Sequence, residues 1–286
     1  MGAKSSANNG SKDGFESKRM DDHMMDFYST RRTGAGSNYS DIGLNATGGE
    51  LASYVEINGS TYRSHTFLSS GTFTVISPGG LGNEVDVLLV AGGGGSGAGP
   101  APVYSGGGGG AGVMRTITET LTPGDYTVTV GSGGNGGSSN SNGSDSTFSN
   151  NNFTYTSTGG GKGGQGRTTG GSPGGSGGGG GAKPYHDPTL GGGSGVGGQG
   201  NPGGTGREDY GGGGGGGGAG GGAPPGPSSG PGAPNTYRYG PTTPVTYSQG
   251  GPAPSTVNSG NGGNIPSGTG QPGIVVIRYK YSSTPL

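Results

Sequence analysis

The sequence predicts an all-β protein: a small β-sheet scaffold carrying a large inserted glycine-rich region of packed polyglycine II helices, extended in the manner of polyproline II. Three observations predict it. Of 286 residues, 80 are Gly and 20 are Pro; together they exceed the roughly 25–30% at which aperiodic Gly and Pro mark low complexity. Only 24% are hydrophobic, about half the usual share of a globular domain, so a side-chain core cannot run through the whole chain. The apolar residues are nonetheless gathered between positions 54 and 155 and again between 274 and 281, in short strand-like runs.

In chain order, residues 1–50 are polar and are expected to form an arm that docks on a partner or anchors the chain in a particle. Met20, Met24 and Phe27 recur at i, i+4 and i+7, the spacing of a short amphipathic helix between about Glu16 and Gly34. Their stripe would dock into a partner groove; a disordered tail is the alternative. No other α element is expected.

The second domain is expected to span residues 51–286. Tyr54-Val55-Glu56-Ile57 reads as a strand leading into the hairpin turn Asn58-Gly59. Strands at 61–67 and 71–76 follow. Glu84-Val85-Asp86-Val87 alternates and then becomes continuously apolar through Leu88-Leu89-Val90-Ala91, as in a strand buried on both faces. Strand patterns return at 113–117 and 125–130, joined by the turn Thr122-Pro123-Gly124-Asp125. Ser146-Thr147-Phe148 and Phe153-Thr154-Tyr155 form a last hairpin, and the strand at 274–281 returns to the same sheet. Residues 159–273 are left as an insertion.

Gly/Ser-rich segments are often flexible linkers, and glycine loses the most backbone entropy on folding. Here the tracts are interrupted by Pro- and Tyr-bearing loops, and the insertion ends in a strand that must rejoin the sheet. An extended helix with three residues per turn has no internal hydrogen bonds, so each amide needs a partner outside it. Without Cβ atoms, neighbouring backbones approach closely enough to supply one another. The run 211–218 reads as an interior rod, and the segment 161–167, with larger side chains at irregular offsets, as a rim helix or turn. A strict Gly-X-Y period is absent, which excludes collagen.

The motifs Val87-Leu88-Leu89-Val90-Ala91-Gly92-Gly93-Gly94-Gly95, Thr122-Pro123-Gly124-Asp125-Tyr126-Thr127-Val128-Thr129-Val130-Gly131-Ser132-Gly133-Gly134 and Gln271-Pro272-Gly273-Ile274-Val275-Val276-Ile277-Arg278-Tyr279 occur in that order. Over roughly residues 55–281 the chain resembles the glycine-rich domain of bacteriophage tail fibre and adhesin proteins. The resemblance implies a β-rich scaffold, a sandwich of polyglycine helices, and variable loops at one end that contact the host surface. It implies no catalytic residues and no cofactor.

The chemistry the residues can support is correspondingly narrow. With a net charge of −1, 11% charged residues and no cationic run longer than Lys18-Arg19 or Arg31-Arg32, the footprint of a nucleic-acid binder is missing. No Cys is present, which removes disulfides, zinc knuckles and thiol nucleophiles. No apolar stretch approaches the roughly 18–20 residues that span a bilayer, and the polar N-terminus is unlike a secretory signal peptide. If the protein acts outside a cell, assembly into a particle released by lysis is one way there. Lys162 is followed by Gly163 rather than Ser or Thr, so no P-loop forms. His23, His65 and His186 lie without ligand spacing, and His186-Asp187 is the one notable pair.

A non-enzymatic binding or structural role remains, without metal or cofactor. Tyr104, Tyr185, His186, Tyr210, Tyr237, Tyr239 and Tyr247 sit between glycine tracts. Aromatic rings with polar tips suit recognition of glycans or protein loops, and they equally suit plugging the ends of a glycine bundle. The expected function is that of a phage virion tail fibre or adhesin-like protein recognising a host surface receptor, with other virion proteins held through residues 1–50. Assembly as a homo-oligomer, for instance a trimer, goes with it, though the sequence itself does not carry the symmetry. The alternative is a head or tail decoration protein without receptor. An ice-binding surface would need regularly spaced Thr or Ser, which the irregular loops do not supply.

Overall fold

The computed structural model describes residues 43–99, 105–184, 190–207, 229–251 and 258–282. The helix expected around Met20, Met24 and Phe27, and the tract 211–218, lie outside them. Among the described residues twelve strands are present: β1 (Asn45–Thr47), β2 (Glu50–Val55), β3 (Thr61–Phe67), β4 (Gly71–Ser77), β5 (Glu84–Val90), β6 (Met114–Thr120), β7 (Gly124–Thr129), β8 (Ser146–Ser149), β9 (Thr154–Ser157), β10 (Ala233–Asn235), β11 (Val245–Tyr247) and β12 (Ile274–Ser282). They form three antiparallel sheets, ordered β2-β3-β12-β5-β6, β1-β4-β7-β8-β9 and β10-β11. No helix occurs among the described residues. The fold is all-β, as the alternation requires.

The two larger sheets face each other across one core. Successive strand side chains alternate between faces, so Val85, Val87 and Leu89 of β5 and Val275, Ile277 and Tyr279 of β12 meet Phe73, Val75, Tyr126, Val128 and Phe148 of the opposing sheet. The alternate residues Leu88, Val90, Ile274 and Val276 point the other way and are equally buried, with Tyr247 and, partly, Val245 packed on them. The β10-β11 hairpin is therefore a strap over the outer face. The continuous apolar run at 88–91 is explained: the strand is covered on both sides.

Several boundaries differ from the sequence reading. The strand expected at 54–57 ends at Val55, because Glu56 and Ser60 already close the turn: the Gly59 amide donates to the Glu56 carbonyl at 2.9 Å, and the Glu56 amide to Ser60 at 2.9 Å. Ile57 is left 92% exposed in that turn. Strand pairing begins before residue 51, since β1 pairs with β4. β10 and β11 were read only as loop; Pro234 in β10 belongs to a two-stranded ribbon, where a missing amide is tolerated.

The glycine segments between the strands form a lattice of rods standing on one end of the sandwich. Successive N–H groups of residues 92–97 donate to Ser144, Gln271, Gly110, Ser141, Gly268 and Gly107, at 2.8–3.0 Å. Each neighbouring chain thus recurs at every third donor, the repeat of an extended helix with three residues per turn. The carbonyls of Gly92, Gly95 and Ala98 accept from Gly160, Gly163 and Gly166, those of Gly93 and Ser96 from Gly134 and Gly137, and that of Gly94 from Gly263. Residues 92–97 are therefore surrounded by six other segments, and all six residues are buried.

Only glycine-like backbone permits this spacing. A Cβ placed on Gly94 would sit well inside contact distance of the Gly161 carbonyl and 2.8 Å from the Gly160 oxygen. Much of the lattice comes from residues 92–98, 105–113 and 131–144, which precede the insertion expected at 159–273. The rods are built from connections throughout the domain rather than from a single insert.

Candidate functional site

Each strand that feeds the lattice leaves or enters it at the sheet end, so the turns that join such rods directly gather at the far end, while the turns at 174–176 and 196–199 lie back at the level of Gly159 and Ala111. Residues 92–98 run antiparallel to 107–113, 141–144 and 268–271 and parallel to 134–137 and 160–166, as the order of their hydrogen-bond partners shows. That direction brings together Ala98, Ser105, the turns at 137–141, 166–169 and 264–268, and Ala182. Gly166 donates to the Ala98 carbonyl at 2.8 Å, Ala182 to Ser105 at 3.0 Å and Arg167 to Ala182 at 2.7 Å.

Gln165 fixes this end. Its Oε1 accepts from the Ala98 amide at 2.9 Å, and its Nε2 donates to the Gly137 carbonyl at 3.0 Å and to Asn140 Oδ1 at 2.8 Å. Asn140, 8% exposed, donates in turn to the Gly163 carbonyl at 2.6 Å. Three separate segments are thereby held in one geometry. Lys162 and Gln165 lie one three-residue turn apart on the rod's outward side, both half-buried between buried glycines. The offsets that looked irregular in the sequence are the rod's own period.

A cleft of about 470 Å³ opens beside this end, lined by Ser138, Ser139, Asn140, Lys162, Gln165 and Thr169 with neighbouring backbone. The Thr169 hydroxyl accepts from the Gln165 amide at 2.8 Å. Among the described residues no group of three or more His, Asp or Glu is placed to hold a metal ion.

Of the aromatic residues singled out in the sequence, Tyr104, Tyr185, His186 and Tyr210 lie outside the described residues, as do Met20, Met24 and Phe27. Tyr237, Tyr239 and Tyr247 fall together on the strap. Tyr247 is 1% exposed among Leu88, Val90, Ile274 and Val276, and burial pushes its hydroxyl up to about 12. It packs and offers no surface to a receptor. Tyr237 is half-buried under the Arg278 guanidinium, 3.8 Å from the ring centre, and its carbonyl accepts from the Tyr54 hydroxyl at 3.1 Å. Tyr239 is 46% exposed, with Arg238 4.8 Å from its ring centre. Of the three, Tyr239 alone presents a largely free face.

Arg278 is the hub that sequence reading missed. From β12 it donates to Glu56 at 2.7 Å, to Asp86 at 3.1 Å and to the Tyr54 hydroxyl at 3.2 Å, while its guanidinium also lies over Tyr62. It secures the strap to the sheet. In sequence it was one residue in an alternating strand, and nothing local marked its partners, which lie 192 to 224 residues away.

A family model of a glycine-rich domain matches residues 67–280. No curated protein matches the chain.

Proposed function

Since the chain belongs to that glycine-rich domain family, we propose that it is a non-enzymatic recognition protein of a phage particle, tail fibre or adhesin-like in kind. In this reading it binds a host surface receptor through the turns at the far end of its rods. The observation that carries this is the convergence of those turns, clamped by Gln165, at the end opposite the sheets. A scaffold in which every buried N–H from Gly92 to Gly97 donates to a neighbouring segment holds display loops rigidly, and preorganised loops lose less entropy on binding. Residues 1–50 would tether the domain to other virion proteins at the particle surface. Several copies, as in a trimer, would raise weak contacts to useful avidity.

The test is adsorption. Purified full-length protein should bind host cells and block infection by the particle that carries it. If it neither binds nor blocks, the chain is a decoration protein that stabilises the particle surface without a receptor.

A further inference from the structure

We propose that the cleft beside the rod tips binds an anionic sugar unit, with the Lys162 ammonium pairing to its carboxylate or phosphate and the surrounding hydroxyls meeting the sugar ring. This deepens the recognition reading and rests on it for the source of the ligand, a polysaccharide of the host surface. The volume of about 470 Å³ falls within the roughly 300–1,000 Å³ of small-molecule sites.

The chemistry of the walls selects the class. Among the described residues no aliphatic or aromatic residue lines the cleft, so an acyl chain or an apolar peptide anchor is a poor match. A single cation without stacking rings is also a poor match for single-stranded nucleic acid, which wants a basic groove and aromatic platforms. Hydroxyls from Ser138, Ser139 and Thr169 with one ammonium match a polyol bearing one negative charge.

The floor is already organised. Gln165 and Asn140 spend their side-chain bonds on each other and on the backbone of Ala98, Gly137 and Gly163, so neither must reorient when a ligand enters. The Lys162 backbone is fixed from both sides: its amide donates to Asn142 Oδ1 at 2.9 Å, and its carbonyl accepts from Ser172 at 2.9 Å. Among the described residues its ammonium makes no ion pair. Asp145 Oδ1 accepts from the Gly159 amide at 2.8 Å, at a point three residues, or about 9 Å along the axis, from Lys162 at the rise of such a helix. A lysine carried on this fixed backbone beside a rigid polar floor can pair its ammonium with an anion that enters the cleft.

The experiment is an amide-resolved NMR titration of the full-length protein with glucuronate, glucose 6-phosphate, glucose and inorganic phosphate. Glucuronate, glucose 6-phosphate or both should shift the amides of residues 138–142 and 162–170, with glucose and phosphate binding more weakly. The two anionic sugars separate a carboxylated from a phosphorylated source. K162Q should reduce that affinity about tenfold or more, as expected for loss of a charge-assisted bond, with unchanged melting temperature, and K183Q should leave it unaltered. Equal binding of glucose and both anions, no shifts with any of them, or an unaffected K162Q would overturn the proposal. Cells still bound by K162Q would retain the recognition reading and remove this site from it, whereas sugar binding without cell adsorption would do the reverse.

Discussion

Replacing Gly94 by Ala asks whether the glycine rods are a solid interior. The new Cβ would fall against the Gly161 carbonyl and the Gly160 oxygen, so the rod at 160–166 must move outward by about the shortfall from an ordinary 3.4 Å contact, on the order of 1 Å. That displacement strains the bonds from Gly160, Gly163 and Gly166 to Gly92, Gly95 and Ala98, now 2.8–2.9 Å. With about 0.5–1.5 kcal/mol net at stake in each, the loss is about 2–4 kcal/mol. In a chain of this size that corresponds to a melting point lower by roughly 5–15 °C. Gly191 supplies the control, because a Cβ there meets nothing within 4 Å and its φ is not in the left-handed range. Gly191→Ala should be neutral or stabilising by up to about 1 kcal/mol, through the entropy of the unfolded chain. Calorimetry on both variants decides. If Gly94→Ala matches Gly191→Ala, or raises the melting point, the rods are not packed as described.

Three further outcomes follow from the sheet end. Arg278→Ala should destabilise by about 3 kcal/mol in urea unfolding, because it strands Glu56 and Asp86, and Arg278→Lys should recover only part, lacking the planar fork; a change within about 0.5 kcal/mol, typical of plain surface sites, would mean the cluster holds nothing. Tyr247→Phe should leave stability unchanged or raised, because among the described residues the buried hydroxyl has no partner at hydrogen-bond geometry, Arg238 being near it without such a bond, and deleting it removes a desolvated group; a loss above about 1 kcal/mol would reveal a partner. His65 is buried with Nδ1–H donating to the Gly48 carbonyl at 2.7 Å and Nε2 3.1 Å from the Tyr279 hydroxyl; burial first, and Arg63 in addition, lower its pKa against the Gly48 bond. A folded pKa below the unfolded value of about 6.5 means that the stability is present above 6.5 and is lost as pH falls from there toward the folded value. An NMR midpoint for His65 above the unfolded value would contradict this.

The strands were legible because their alternation is a local signal: β3, β4, β5, β7 and β12 lie within a residue or two of where period two and the turn residues placed them. The double burial of β5 was equally readable from Leu88-Leu89-Val90-Ala91. The strap was not, because Ala233-Pro234-Asn235 carries no strand pattern of its own and is held by Tyr247 and Val245 packing on a sheet far away in sequence. Nor was the clamp at the rod tips, since Gln165 is an ordinary polar residue until two distant segments arrive around it. Its distance of three residues from Lys162 was the available clue, the period of the rod written in side chains. For Tyr247 both display and packing were open in the sequence; the structure takes the packing reading, with the strap placing it against the outer sheet face rather than at an end of the glycine bundle.

Hydrogen exchange of the glycine amides tests the central claim most directly. Every N–H from Gly92 to Gly97 has a backbone acceptor in a neighbouring segment at 2.8–3.0 Å and no solvent exposure beyond the buried range. Their exchange should be slowed to the same degree as that of Val275, Val276 and Ile277 in β12, with all of them opening together near the global unfolding free energy. Exchange of residues 92–97 at the rate of an unstructured peptide, while β12 stays protected, would contradict the account.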